Sequence, residues 1–319
     1  MVRVPKSWLL GSTLTVLILA LGALTVQPAP PPAETPQQSY DRQLAMQRRD
    51  PAPPLGAGAG VTAQDVVFQS AALDRKMRYR ILLPPSYSSS HRHYPTLYLL
   101  HGYMNPYYEW DKQTALARYL EEGHHELVVV LPQFDNSFYI NSPKPGNDYE
   151  KYFFEDLLPQ VEGHFRVRTE PPARAVVGVS MGGYGAMLYG LRRPWKFALA
   201  GSFSGPVDFM KIGTEDAKIF LPFVLEDVIG QPGSKTRKDN DVFDLARAAD
   251  PKALPHLWLF SPNDDFTLSF NLRFAELLVE RKIPFELHTA PGGHEWRYWD
   301  AQLPGLLRKV DEVLAIPAG

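Results

Sequence analysis

The chain predicts an α/β fold: a mostly parallel, eight-stranded sheet with helices on both faces. Three observations lead there. Its 319 residues are 45% hydrophobic and 21% charged, the composition of an ordinary globular protein with one sizeable core. Short β-rich apolar runs alternate with helix-like stretches over roughly the last 260 residues. From the third run onward these are continuously apolar, as parallel strands buried on both faces are.

Taken in order, the strands fall at Val66–Ala72, Arg78–Leu83, Thr96–Leu100, Leu127–Leu131, Ala175–Val179, Leu199–Phe203, His256–Phe260 and Phe285–Thr289. Helical patterns fall at about Tyr149–Phe165, Met181–Leu191, Leu268–Arg281 and Trp296–Leu314, and no internal repeat is visible. Val207–Asp250 is irregular, mixing apolar pieces such as Ile219–Leu225 with the polar Gly233–Asp241. It reads as an insertion over the C-terminal edge of the sheet, where open α/β sheets bind ligands.

Ahead of the domain, Leu9–Val26 is an uncharged run of eighteen residues, preceded by Arg3 and Lys6. Its length lies between a secretory h-region and a spanning helix, and no Ala-x-Ala site follows. Residues 1–26 therefore read as a signal peptide or a single membrane anchor, and either one exports the domain. Gln27 to Gly60 is rich in Pro, Ala, Gln and Gly and cannot bury enough to fold, so it reads as a tether. The folded domain is expected over residues 61–319.

Charge and cysteine content narrow the chemistry. Thirty-three basic residues against 35 acidic ones leave a formal charge of -2, which offers no field for nucleic acid. The absence of cysteine removes thiol nucleophiles, disulfides, iron–sulfur clusters and thiolate zinc sites. His124-His125-Glu126 lacks metal-ligand spacing and reads as a solvated surface turn, so no metal is expected there.

Gly178-Val179-Ser180-Met181-Gly182 directly follows a strand and directly precedes a helix. A serine on such a tight turn needs strained backbone, and glycine on both sides lets strand and helix approach without Cβ clashes. Gly201-Ser202-Phe203-Ser204-Gly205 has phenylalanine at the third position and does not compete. Serine needs a base, itself oriented by a carboxylate, and in this architecture the order is Ser, acid, His. Three histidines follow Ser180. His256 and His288 sit on strands as structural imidazoles, whereas His294 follows Pro291-Gly292-Gly293 in the loop between the last strand and the last helix and suits the base. The loop after the seventh strand offers Asp264 and Asp265. Asp265 is favoured as the acid, with Asp264 capping the following helix through its side chain.

A tetrahedral intermediate needs two N–H donors, expected from the backbones of Met181 and Tyr103. His101-Gly102 reads as a loop-shaping pair. Tyr103, Tyr107, Tyr108 and Trp110 either line an acyl or sugar pocket or pack as core.

With these residues located, the chain resembles the esterase family of α/β-hydrolases that holds S-formylglutathione hydrolases, feruloyl and acetylxylan esterases, enterochelin esterases and mycolyltransferases. The resemblance covers about Val66 to Val313. It rests on Leu100-His101-Gly102 with Trp110-Asp111, Asn136-Ser137-Phe138-Tyr139, Tyr149-Glu150 through Glu155–Pro159, the Ser180 motif and Pro291–Trp296. In this family the acid lies in a Gly-x-x-Asp loop. Pro262 stands where that glycine would be, which supports Asp265 and leaves Asp264 open. The resemblance implies an α/β-hydrolase fold and ester hydrolysis or acyl transfer without cofactor or metal. The expectation is an exported serine carboxylesterase acting on a small-molecule, glycan or lipid ester. The alternatives are a mycolyltransferase-type acyltransferase and a non-catalytic binding module on the same fold. The residues that distinguish the module from the enzyme are Ser180, Asp265 and His294.

Overall fold

The computed structural model describes residues 60–211 and 225–314. The N-terminal segment, the tether before Gly60 and the apolar piece Ile219–Val224 of the insertion lie outside the described residues.

Eight strands form one sheet: β1 (Thr62–Ser70), β2 (Arg75–Leu83), β3 (Thr96–Leu100), β4 (Val128–Pro132), β5 (Arg174–Val179), β6 (Leu199–Phe203), β7 (His256–Phe260) and β8 (Phe285–His288). Their order is β1-β2-β4-β3-β5-β6-β7-β8. β1 and β2 pair antiparallel, as do β2 and β4, while every pairing from β4 through β8 is parallel. The expected fold class holds, an α/β-hydrolase sheet with helices on both faces.

Side chains alternate between two cores because successive Cβ atoms point to opposite faces of a strand. On β3, Tyr98 and Leu100 enter one core with the buried helix residues Tyr184 and Leu188, and Leu97 and Leu99 enter the other with Trp110, Leu303 and Leu307. Covering both faces is what makes β3, β4, β5 and β6 buried along their whole length.

The helices are α1 (Glu109–Gln113), α2 (Leu116–Glu122), α3, α4 (Met181–Arg192), α5 (Leu225–Ile229), α6 (Lys235–Asp239), α7 (Val242–Ala248), α8 (Leu268–Glu280) and α9 (Trp296–Val313). α3 runs as Tyr149–Lys151, a π-helical turn Tyr152–Leu157, and Leu158–His164.

β1 begins four residues before the expected Val66 and ends two residues early. Its first residues are polar and mostly exposed, so hydrophobic pattern did not mark them, and the chain turns at Ala71–Asp74 with Asp74 at φ 48°. The described part of the insertion is more regular than expected. Ser234 accepts a hydrogen bond from Arg237 N to cap α6, and Asp241 accepts from Phe243 N and Asp244 N to cap α7.

β3 lies between β4 and β5, so the chain leaves it in opposite directions on its two sides. β4 and β6, the strands that follow β3 and β5 in the chain, lie on opposite sides of that pair, which makes it a topological switch point, where open α/β sheets bind ligands.

Candidate active site

Ser180 stands at that switch point, between the end of β5 and the start of α4. Its φ of 52° and ψ of -119° place a non-glycine residue in strained backbone, a conformation that costs on the order of 1–3 kcal/mol and persists only where the surroundings enforce it. The enforcement is visible. Ser180 N donates to Phe203 O at 2.8 Å. A Cβ on Gly178 would stand 2.2 Å from the Gly182 carbonyl, and one on Gly182 would stand 2.4 Å from Leu100 O. Strand, elbow and helix are packed closer than any side chain at these two positions allows.

The serine faces an imidazole. His294 Nε2 lies 3.0 Å from Ser180 Oγ, and His294 Nδ1 lies 3.0 and 3.1 Å from the two Asp265 carboxylate oxygens. The carboxylate fixes Nδ1 as the protonated nitrogen and leaves Nε2 free to accept from the serine. The three residues singled out in the sequence thus meet in one chain of hydrogen bonds.

Asp265 is buried, its side chain fully so. Burial pushes its carboxyl upward, yet the net shift is downward from the usual range: the His294 hydrogen bond and charge, the Ser204 hydroxyl and the Thr267 backbone together outweigh desolvation. Oδ1 accepts from Thr267 N and from Thr267 Oγ1, both at 2.8 Å.

Asp264, the alternative acid, is exposed, with its backbone N donating to Gly292 O at 2.8 Å. Nor does it cap α8. The N-cap is Thr267, which makes no side-chain capping bond, and the Thr267 N–H goes instead to Asp265. The carboxylate that orients the imidazole also holds the start of the helix.

The two expected oxyanion donors lie on the two segments that flank Ser180. Met181 opens α4, and the first N–H groups of a helix have no intrahelical acceptor. Tyr103 follows Gly102, where a Cβ would stand 3.6 Å from the Ser180 Cβ. The Tyr103 loop is pinned from β4: Met104 N donates to Asn136 Oδ1 at 2.8 Å, and Tyr107 N donates to Gln133 Oε1 at 3.0 Å.

His101 shapes this loop, as expected. It is fully buried, its Nδ1 meets Gly102 O at 2.8 Å, and its Nε2 accepts from Phe134 N at 2.9 Å. Burial holds its pKa down at about 4, so the ring is neutral and serves as a fixed bridge between two loops.

The aromatic group divides. Trp110 and Tyr107 are core, Trp110 Nε1 donating to Leu100 O at 2.9 Å, so these two do not line a pocket. Half-buried Tyr103 packs on Phe138, which is itself buried core stacked on Phe209 at 4.4 Å, so of the four only Tyr103 and Tyr108 keep accessible surface. His256 and His288 each lie 3.0 Å from Glu286, structural as expected. His125 corrects the surface-turn reading: it is buried and bonded to Asp311 in α9, while His124 is exposed.

Sequence reasoning missed the supports of the site. Ser204, Thr267 and Trp299 are buried around Asp265 and His294. The signal for Ser204 is the second Gly-Ser stretch, which runs from within β6 to Gly205 and carries no nucleophile motif.

Comparison with known proteins identifies the family. Residues 70–310 match the family model described as "Putative esterase". The chain is 29% identical over 258 residues to Esterase Rv1288 of Mycobacterium tuberculosis, covering 72% of this chain and 55% of the relative. It therefore spans about half the length of that relative. An acetyl esterase of Caldicellulosiruptor saccharolyticus is 24% identical over 225 residues, covering 68% of this chain and 84% of the relative. Among solved structures, a ferulic acid esterase superposes with a TM-score of 0.70 at 25% identity, covering 79% of this chain and 98% of its own. An S-formylglutathione hydrolase from Agrobacterium tumefaciens shares the fold with a TM-score of 0.70 at 20% identity, covering 82% and 98%. The chain belongs to the "Putative esterase" family.

Proposed function

We propose that the protein is an extracytoplasmic serine carboxylesterase that works through an acyl-enzyme on Ser180. The hydrogen-bond chain from Ser180 Oγ through His294 to Asp265, each link 3.0 or 3.1 Å, carries the reading.

Ser180 Oγ attacks the ester carbonyl carbon while His294 Nε2 takes its proton. The carbonyl oxygen becomes an oxyanion held by the N–H groups of Met181 and Tyr103. The tetrahedral adduct collapses, the carbon–oxygen bond to the alcohol breaks, and His294 returns the proton to the departing oxygen. Water then gives a proton to His294 and attacks the acyl-serine; as the second tetrahedral adduct collapses, His294 returns that proton to Ser180 Oγ, and the carboxylic acid leaves. Asp265 stays ionised throughout, in keeping with its lowered pKa, and stabilises the imidazolium. Every proton and electron pair is accounted for by these residues and water.

The relatives named acetyl esterase and ferulic acid esterase, together with half-buried Tyr103 on the loop beside Ser180, support small acyl or aromatic acyl esters as substrates. The positively flanked apolar run Leu9–Val26 and the proline-rich stretch after it support export on a tether. A panel of p-nitrophenyl esters of increasing chain length, with feruloyl and acetylated sugar esters beside it, tests the reading. Turnover by the full chain and its loss in Ser180→Ala are expected. Equal turnover by Ser180→Ala, or none by either protein, overturns it, and a new ester formed on added alcohol in place of free acid makes the enzyme an acyltransferase.

A further inference from the structure

Behind the Ser180–His294–Asp265 chain lies a second one. Ser204 follows β6 and is wholly buried, yet it holds a φ of 52°, in the left-handed region that ordinary residues avoid. Its N donates to Phe260 O at 2.7 Å, so β7 clamps it there. The Trp299 Nε1–H, from the first turn of α9, donates to Ser204 Oγ at 2.9 Å. The Ser204 hydroxyl in turn lowers the pKa of the Asp265 carboxylate, the effect of a donor aimed at it. A carboxylate only accepts, so the serine hydrogen points at Asp265. The bond from Trp299 occupies the serine oxygen and fixes the rotor in that direction.

Trp299 has a second contact. Its ring stands edge-on to the His294 imidazole at 4.9 Å and 88°, with Phe266 on the imidazole at 4.6 Å. One tryptophan therefore touches the base directly and the acid through Ser204.

We propose that Ser204 and Trp299 are a positioning pair for the active site: through one N–H and one hydroxyl they hold the Asp265 carboxylate, and through the indole ring they hold the plane of His294. The inference rests on the reading of Ser180, His294 and Asp265 as a catalytic triad. Neither residue acts on substrate, so the pair sets the rate of the chemical step and not substrate binding. It also explains a strained serine where glycine would sit without backbone cost: the hydroxyl is what the site retains.

The test is steady-state hydrolysis of p-nitrophenyl acetate by the full chain and by Ser204→Gly, Ser204→Ala, Trp299→Phe and Ser180→Ala, with thermal unfolding of each. Ser204→Gly relieves the backbone strain while removing the hydroxyl, so its Tm should hold while kcat falls about 10- to 100-fold with KM unchanged, the effect of losing one hydrogen bond to a charged group. Ser204→Ala should show the same loss in kcat. Trp299→Phe keeps a ring against His294 and frees the serine rotor, and should lower kcat less than Ser204→Gly does, again without moving KM. Wild-type kcat in folded Ser204→Gly, or a loss expressed in KM alone, overturns the proposal. If Ser180→Ala is inactive while Ser204→Gly is fully active, only this inference fails. If Ser180→Ala is active, the triad reading fails with it.

Discussion

Two adjacent aspartates with opposite surroundings decide the chemistry at the scale of single residues. Asp265 is buried and accepts from His294, Thr267 and Ser204, whereas Asp264 is exposed and tied down only by its backbone. Asp265→Asn should therefore lower kcat by about 10⁴-fold, because an amide cannot hold the imidazole in the required tautomer, while Asp264→Asn should leave it nearly unchanged. Steady-state kinetics on the two variants checks this. His101 gives a second expectation, about acid. Its folded-state pKa of about 4 lies below the 6.5 of an unfolded histidine, so the unfolded chain takes up its proton first as pH falls. Stability should drop between about pH 6.5 and pH 4 by up to about 3 kcal/mol from this residue, and the loss should be complete below about pH 4. Asp265 is also shifted downward and acts in the same direction. Its lowered pKa stabilises the fold above the ordinary carboxylate range and loses that contribution as pH falls through it. Urea midpoints measured from pH 7 to pH 4 should fall in the wild type and fall less in a folded variant lacking the His101 imidazole.

At the scale of elements, the site depends on how closely β3, β5 and α4 approach. Gly163 and Gly182 make a controlled pair, since both lie in helices. A Cβ at Gly163 meets nothing within 4 Å, whereas one at Gly182 meets Leu100 O at 2.4 Å and His101 O at 2.8 Å. Gly182→Ala should cost about 1–3 kcal/mol of stability by pushing α4 away from β3, and Gly163→Ala should be neutral or stabilising by up to about 1 kcal/mol. Chemical denaturation of the two variants measures the contrast. The same closeness explains what the sequence disclosed. Glycines at 178 and 182 around a serine, after an apolar run and before a helix, are a local requirement and can be read locally. The buried strands β3 to β7 were legible for a similar reason, since burial on both faces demands unbroken apolar runs. The polar start of β1, the short capped helices α6 and α7, and α1 and α2 were not, because none carries a sustained period. Ser204 and Trp299 are 95 residues apart and meet only through the order of the sheet. Likewise, the loop spacing favoured Asp265 over Asp264 without settling the choice. Burial decided it, and burial is a property of the assembled fold.

At the scale of the whole molecule, one sheet places Ser180 at a topological switch, with its supports drawn from β6, α8 and α9. The proposal of export adds a tether ahead of this domain, built from the apolar run Leu9–Val26 and the proline-rich stretch from Gln27. Eighteen uncharged residues are close to the length needed to span a bilayer, so the reading favours an anchor with Arg3 and Lys6 inside. Cell fractionation with N-terminal sequencing should recover the enzyme in the membrane fraction with its N-terminus intact. A soluble species starting between about Ala23 and Gln38 refutes the anchor, and cytosolic enzyme refutes export.

The central claim, that Ser180 is the nucleophile raised by His294 and Asp265, is tested most directly by covalent labelling. The full-length protein is treated with a fluorophosphonate, its intact mass is measured, and the adduct is mapped by peptide sequencing. The account predicts one adduct per chain, on Ser180, formed far more slowly in His294→Ala and Asp265→Asn. An adduct on any other residue, or a labelling rate indifferent to His294 and Asp265, would contradict it.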